Sequence, residues 1–236
     1  MGGPVMNEFI YKRKSIRKYD QAKLDESVLA KVREKIGNLK PLYPDIKYSV
    51  DIVGKTKGIF GITAPHYLIF GSEEKEGYRE NIGFIGQQMD LFLAEEGLGV
   101  CWLGMAKPEE EPENALPFVI SIAFGTPAEQ LYRQLSEFKR KAPEDMSEGS
   151  DPRLEAARLA PSGMNAQNWF FIAADEKIHC YTKKPNLLSG LLAGSLVYID
   201  FGIALCHIAE ESGEFTFIKE AGIPDRKGLT YMGTVE

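Results

Sequence analysis

Two apolar helical segments set the strongest limit on what this chain can fold into. From Tyr78 to Glu96 the residues Ile82, Phe84, Ile85, Met89, Leu91, Phe92 and Leu93 occupy more than one face of a helix, and a second apolar helix spans about Leu196 to Glu211. A helix apolar on several faces is stable only when neighbours cover those faces, so both segments belong in a core with other layers packed around them. Neither is a bilayer span, because no stretch approaches roughly 20 consecutive apolar residues. The chain has 236 residues, with 28 basic against 34 acidic side chains and a net charge of −6. That acidic balance argues against general nucleic-acid binding. The opening MGGPVMNEFI has neither the basic lead nor the apolar core of a signal peptide, and Met6 stands where a myristoylation signal needs Ser or Thr. Cys101, Cys180 and Cys206 are odd in number, far apart and without C-x-x-C spacing, so no disulfide framework or zinc site is expected. These readings predict a soluble, cytoplasmic protein with no membrane partner.

The remaining elements follow from periodicity. Asn7 to Ser15 reads as a short helix capped by Asn7, with a basic end at Lys12, Arg13 and Lys14. A helix after Asp25 places Leu29, Val32 and Ile36 at helical spacing and stops at Gly37. Ile46, Tyr48, Val50 and Ile52 alternate with Lys47, Ser49 and Asp51, which predicts a half-buried strand, while the continuous run His66–Phe70 predicts a central one. Gly97 and Gly99 end the first long helix ahead of a strand at Val100–Leu103; Phe118–Phe124 is another, closed by Gly125-Thr126-Pro127. Ser136 to Asp151 is polar and aperiodic and reads as a boundary. Beyond it Asp151-Pro152 opens a helix that runs to Pro161. Strands are expected at Trp169–Ala173 and Ile178–Tyr181, and an extended stretch near Thr230–Val235. Leu93-Ala94-Glu95-Glu96 and Ile208-Ala209-Glu210-Glu211 form a faint repeat, consistent with chance or with a duplicated unit.

Three segments could carry chemistry. Arg13-Lys14-Ser15-Ile16-Arg17 offers two guanidiniums, an ammonium and a hydroxyl, a donor set suited to a phosphate, although a solvated basic helix end has the same composition. In the loop Ala160–Trp169, Ser162, Asn165 and Gln167 can donate and accept in one plane, as a flat heterocycle needs, and Gly163 allows close backbone approach. An Asx-rich turn that binds nothing looks alike. Phe138-Lys139-Arg140-Lys141-Ala142-Pro143 is by itself a charged linker. His66 and His207 lie in apolar elements and read as core residues, His179 beside Cys180 is too little for a metal site, and Cys101 and Cys206 read as inert.

Together these segments resemble the nitroreductase family of FMN-dependent oxidoreductases, in its single-chain, two-lobed branch. The family's R-R-S-x-R-x-F/Y motif is matched by Arg13-Lys14-Ser15-Ile16-Arg17-Lys18-Tyr19 with one Arg-to-Lys change. Its A-P-S-x-x-N-x-Q-P-W loop is matched from Ala160 to Trp169 with Asn168 in place of proline. G-L-G-x-x-W appears as Gly97–Trp102, the following strand and turn as Phe118–Pro127, and the R-K-P-x-E/D stretch is approximated by Arg140–Glu144.

The resemblance implies an α+β fold of mixed, mainly antiparallel sheets flanked by helices. The usual members are homodimers with FMN between subunits, and their P-S-x-x-N loop comes before the long helix; here it comes after it. That order, with the faint repeat, leads us to expect two fused lobes, 1–140 and 150–236, forming an internal pseudo-dimer with one FMN site. Such a chain could be a monomer. By resemblance, Arg13, Lys14, Ser15, Arg17, Arg140 and Lys141 grip the phosphate and ribityl chain. Pro161, Ser162, Met164, Asn165 and Gln167 meet the ring, with a backbone N–H at Leu103–Gly104 facing its N5. Trp169, Met164 and Trp102 are candidates for an apolar wall. The implied activity is ping-pong hydride transfer from NADH or NADPH through FMN to a small-molecule acceptor such as a nitroaromatic or quinone. It needs no metal and no side-chain nucleophile. Dehalogenation, flavin fragmentation and non-catalytic flavin storage are alternatives on the same fold.

Overall fold

The structure, a computed structural model, describes residues 7–58, 62–113, 115–183 and 190–236. The opening residues 1–6, on which the expectation of no signal peptide and no myristoylation rests, lie outside the described residues. The described residues open with a 3₁₀ turn, Glu8–Tyr11, whose Phe9 N–H is capped by the Asn7 side chain. The helix expected to reach Ser15 stops there. Arg13 instead bridges Tyr132, Ser15 bridges Val100, and the Ile16 N–H donates to the Val100 carbonyl at 2.9 Å. Ile16 is fully buried, so strand-like pairing and apolar burial outweigh the local helical signal.

Helix α1 (Glu26–Gly37) follows Asp25 and buries Leu29 and Val32. Strands β1 (Tyr48–Val53), β2 (Thr56–Lys57) and β3 (His66–Ser72) lead to helix α2 (Tyr78–Glu95). Strands β4 (Gly99–Leu103), β5 (Lys107–Pro108) and β6 (Phe118–Gly125) complete the first half. The order β1-β3-β6-β4 is antiparallel throughout, and β2 pairs with β5 apart from it. β3 lies inside the sheet and is buried along its whole length, as its continuous apolar run requires.

The expected boundary is not a free linker: it carries 3₁₀ turns at Leu135–Glu137 and Pro143–Asp145, a buried Met146, and strand β7 (Ser147–Glu148). Helix α3 (Arg153–Leu159) follows, its Arg153 N–H bonded to the Asp151 carboxylate. Then come β8 (Trp169–Ala174), β9 (Lys177–Lys183), α4 (Gly190–Glu210), β10 (Phe217–Ile218) and β11 (Leu229–Val235). Their sheet has the order β10-β11-β9-β8-β7, antiparallel except for β7 beside β8. The architecture is therefore the α+β arrangement of mixed, mainly antiparallel sheets that the sequence implies.

The two apolar helices solve each other's burial problem: α2 and α4 pack face to face between the sheets. Their approach is reciprocal. A Cβ added to Gly83 on α2 would collide with the Ile199 carbonyl oxygen, and one added to Gly202 on α4 would collide with that of Glu80. One hydrophobic cluster joins Leu68, Phe70 and Ile122 of the first sheet to Phe171, Ile178 and Val235 of the second. The halves share a core. The Gly83–Gly202 correspondence spans 119 positions, whereas the repeat Leu93–Glu96 against Ile208–Glu211 spans 115, one helical turn out of step with the packing. Among the described residues no helix is long and apolar enough to cross a membrane.

Candidate functional site

Three distant segments meet at one cavity of about 510 Å³: the N-terminal strip (Arg13, Lys14, Ser15, Arg17), the strap from Glu129 to Arg140, and the loop before β8 (Pro161, Ser162, Met164, Asn165). The strip is held by its pairing with β4 and the strap by its own bonds to the strip; the Arg133 N–H donates to the Lys12 carbonyl and its Nε to that of Arg13. The loop enters from the other half of the chain.

Arg13 forms the inner wall. It is 2% exposed, its Nη2 donates to Asp90 Oδ2 at 3.0 Å, and its Nε stands 2.8 Å from Asp90 Oδ1 without an aligned hydrogen bond. Trp102 Nε1 donates to the same Oδ2 at 2.9 Å. Burial raises the Asp90 carboxyl, while Arg13 and the Trp102 N–H oppose the rise. Much of Arg13's donor capacity is therefore spent on Asp90.

Arg133 was not singled out from the sequence. Its guanidinium lies 3.6 Å from the centroid of the Phe138 ring, and Arg140 lies 5.4 Å from the same ring. Burial, then neighbouring Arg13, brings Arg133 down to about 10; burial, then Arg133, Arg13 and Arg158, brings Arg140 down to about 9. Crowded, partly desolvated like charges of this kind are stabilised by an anion. The lining acids are already engaged: Glu129 Oε1 accepts from the Arg17 and Lys18 N–H groups, and Glu137 Oε2 from the Gln134 N–H. The only sequence signal for Arg133 is its place in a segment with an Arg-Gln-Leu-Ser-Glu-Phe run, which has no distinctive spacing.

Arg140 and Lys141 bind the loop. Arg140 donates through Nε and Nη2 to the Leu159 carbonyl and through Nη1 to Asn165 Oδ1 at 2.9 Å; Asn165 Nδ2 donates back to the Lys139 carbonyl. The Lys141 N–H donates to Gln167 Oε1, and its Nζ to the carbonyls of Ala166 and Gln167. Gln167 is buried, with Nε2 donated to the Asn165 carbonyl, so its amide holds the loop rather than facing the cavity. Lys141 and Gln167 are not among the cavity-lining residues.

The loop is bent into shape by three non-glycine residues with positive φ, Met164 (52°), Asn165 (56°) and Gln167 (49°). Ser162 Oγ accepts from the Gln167 N–H at 3.0 Å and closes the turn. Met164 is 94% exposed at the cavity mouth. Strained backbone of this sort persists where surrounding contacts over-determine it. Leu103 and Gly104 stand outside the cavity lining, but a Cβ added at Gly104 or at Gly163 would meet the same Leu196 side chain, at 3.5 and 3.4 Å, so the end of β4 lies near the loop. The expected aromatic walls differ. Trp169 is fully buried in the core, and Trp102 packs its ring on Gly86 of α2 with its N–H on Asp90, because both indoles fill the space between helix and sheet.

A profile described as "Putative TM nitroreductase" matches residues 6–212. The chain belongs to that nitroreductase family. A putative nitroreductase of Thermotoga maritima MSB8 has the same fold, with TM-score 0.67 and 20% identity over 98% of this chain and 91% of that one. A nitroreductase family protein of Clostridium difficile 630 aligns with TM-score 0.46 and 16% identity over 61% of this chain and 98% of its own. An FMN-dependent nitroreductase of Clostridium difficile R20291 aligns with TM-score 0.44 and 18% identity over 58% and 98%. No protein with a curated description matches.

In this nitroreductase-family chain the histidines are structural. His207 bonds the Ala156 carbonyl and the Gln87 amide, and burial lowers it to about 3; His66 accepts from the Leu24 N–H; His179 bonds Thr234. All three cysteines are free and buried.

Proposed function

We propose that this chain is an FMN-dependent oxidoreductase that passes a hydride from NADH or NADPH to a flat, electron-poor small molecule such as a nitroaromatic or a quinone. One observation carries the reading: a cation cluster from the first half and a strained polar loop from the second half line the same cavity. Family membership supports an oxidoreductase role, and the donor set fits the cofactor. Among the described residues neither Arg133 nor Arg140 forms a salt bridge, and such crowded cations suit a phosphate of roughly −2 charge. Lys14, Ser15 and Arg17 add donors from the strip. Pro161, Ser162, Met164 and Asn165 present loop groups to a ring, and the N–H groups of Leu103–Gly104 are proposed to approach it from β4.

Bound in this cavity, FMN would supply the hydride chemistry, held by Lys14, Ser15, Arg17, Arg133 and Arg140 on one side and the Pro161–Asn165 loop on the other. The chain's own part is to hold anion and ring at opposite ends, to keep the cations fixed through Phe138 and the Arg13 carbonyl, and to bend the loop. Exposed Met164 stands where a donor or acceptor enters. The reciprocal packing of Gly83 and Gly202 supports a pseudo-dimer built from lobes 1–140 and 150–236, with a monomer sufficient for one site. Free, buried cysteines agree with a cytoplasmic setting.

The absorption spectrum tests the reading. Purified protein is expected to be yellow, with a band at about 450 nm that bleaches anaerobically with NADH or NADPH. Folded, colourless protein that takes up no added FMN overturns it. A yellow protein that neither donor bleaches points instead to storage.

A further inference from the structure

The loop that bends toward the cavity has an anchor on α4 that lies outside the cavity lining. Asp200 is 4% exposed, and its Oδ1 accepts the Gly163 N–H at 2.8 Å. A Cβ added at Gly163 would stand at ordinary contact distance, 3.4 Å from Leu196 and 3.7–3.8 Å from the two Asp200 oxygens, so the turn lies against α4. On its other side the loop is tied to the strap through Asn165, Arg140 and Lys141. The three left-handed residues lie within the stretch tied in this way, and their strain needs outside contacts to hold it.

The other half of the molecule repeats this attachment with different chemistry. There the loop after α1 donates its Tyr43 N–H to Asn81 Oδ1 on α2 at 3.0 Å. Asn81 precedes Asp200 by 119 positions, the same spacing as Gly83 to Gly202, so the two anchors correspond across the helix pair. A neutral amide thus suffices to fasten such a loop.

We propose that Asp200 is a positioning residue for the flavin ring: it holds the Gly163 turn, and through it Ser162 and Asn165, in the shape that grips the ring. The inference rests on the flavin reading and adds to it a residue that touches no ligand. Its effect falls on the ring, not on the phosphate, and an amide at position 200 preserves it because Asn81 does the same work.

The test titrates FMN and riboflavin into the natural chain and its variants and follows amide hydrogen exchange across residues 162–167. Asp200→Ala is expected to weaken both flavins by a similar factor, about tenfold, the loss typical of one buried hydrogen bond. It is also expected to speed exchange at Gly163 and Gln167. Asp200→Asn is expected to return both readouts to within about threefold of the natural chain, since the N–H keeps an acceptor. Flavin affinities unchanged in Asp200→Ala, or Asp200→Asn falling as far as Asp200→Ala, overturn the proposal. If the natural chain binds neither flavin, the functional reading fails, whereas unchanged exchange at Gly163 in Asp200→Ala is what refutes the clamp. Should Asp200→Ala not fold, Asp200→Asn alone decides: flavin affinities that fall by more than about threefold, or faster exchange at Gly163, overturn the proposal.

Discussion

Arg13 reaches from the N-terminal strip to Asp90 in the middle of α2, and the pair is buried 77 positions apart in sequence. The contact joins the strip to the central helix and forms the inner wall of the cavity. Removing one partner leaves a buried, uncompensated charge, which typically costs 3–5 kcal/mol, roughly. Asp90→Ala is therefore expected to lower the urea midpoint strongly. The double variant Arg13→Met with Asp90→Leu is expected to lose less than either single change. A double variant that loses the sum of the two would show that the charges act independently.

Arg133 and Arg140 share the Phe138 ring but do different work. Arg133 is bonded to the strip through the Arg13 carbonyl, whereas Arg140 holds Leu159 and Asn165 of the loop. Arg133→Met is expected to weaken FMN by about tenfold, the loss of one charge-assisted contact, and to leave riboflavin unchanged. Arg140→Met is expected to weaken both, because it also releases the loop. Calorimetric titration of the two flavins distinguishes these patterns, and equal losses for both flavins in Arg133→Met would remove that residue from the phosphate grip.

Burial raises Asp200 from 3.8 to about 7, against the opposing Gly163 N–H. Between pH 4 and 7 the native state then keeps a proton that the unfolded chain has released, so this group's contribution to stability falls as pH rises through that window and is flat above it. The full effect is at most about 4 kcal/mol. Asp200→Asn removes this dependence. Its advantage over the natural chain in urea unfolding is expected to grow from pH 4.5 to 7.5; parallel curves would contradict the assignment.

Gly83 and Gly202 let α2 and α4 approach backbone to backbone. Replacing either with Ala forces the helices apart at the centre of the shared core, and the cost is expected to be about 2 kcal/mol or more, at the upper end for overpacking. Gly104→Ala meets only the Leu196 side chain at ordinary contact distance and is expected to change stability by less than about 0.5 kcal/mol. Thermal unfolding of the three variants ranks them, and an unperturbed Gly202→Ala would show that the helix pair is looser than its geometry.

The sequence by itself determined the elements whose signal is local. The two apolar helices, α1 behind Asp25, and the strands at His66–Ser72, Phe118–Gly125 and Trp169–Ala174 follow from periodicity and apolar content, because burial of a face is written into residue spacing. The strip 13–17 and the loop 160–169 were also legible as polar donor sets, and the cavity brings them together. Their division of labour was not legible. Arg13 turns inward because α2 places Asp90 beneath it, Gln167 is absorbed by Lys141, Trp169 fills the core, and half-buried Trp102 packs against α2. The opening helix stops at Tyr11 because β4 offers its edge. Arg133 and Asp200 carry no motif at all; they matter through Phe138 and Gly163, which only tertiary packing brings to them. A side chain's type is fixed along the chain, but whether it faces a partner or a ligand depends on charges and acceptors delivered by elements about a hundred residues away, and only the fold decides that.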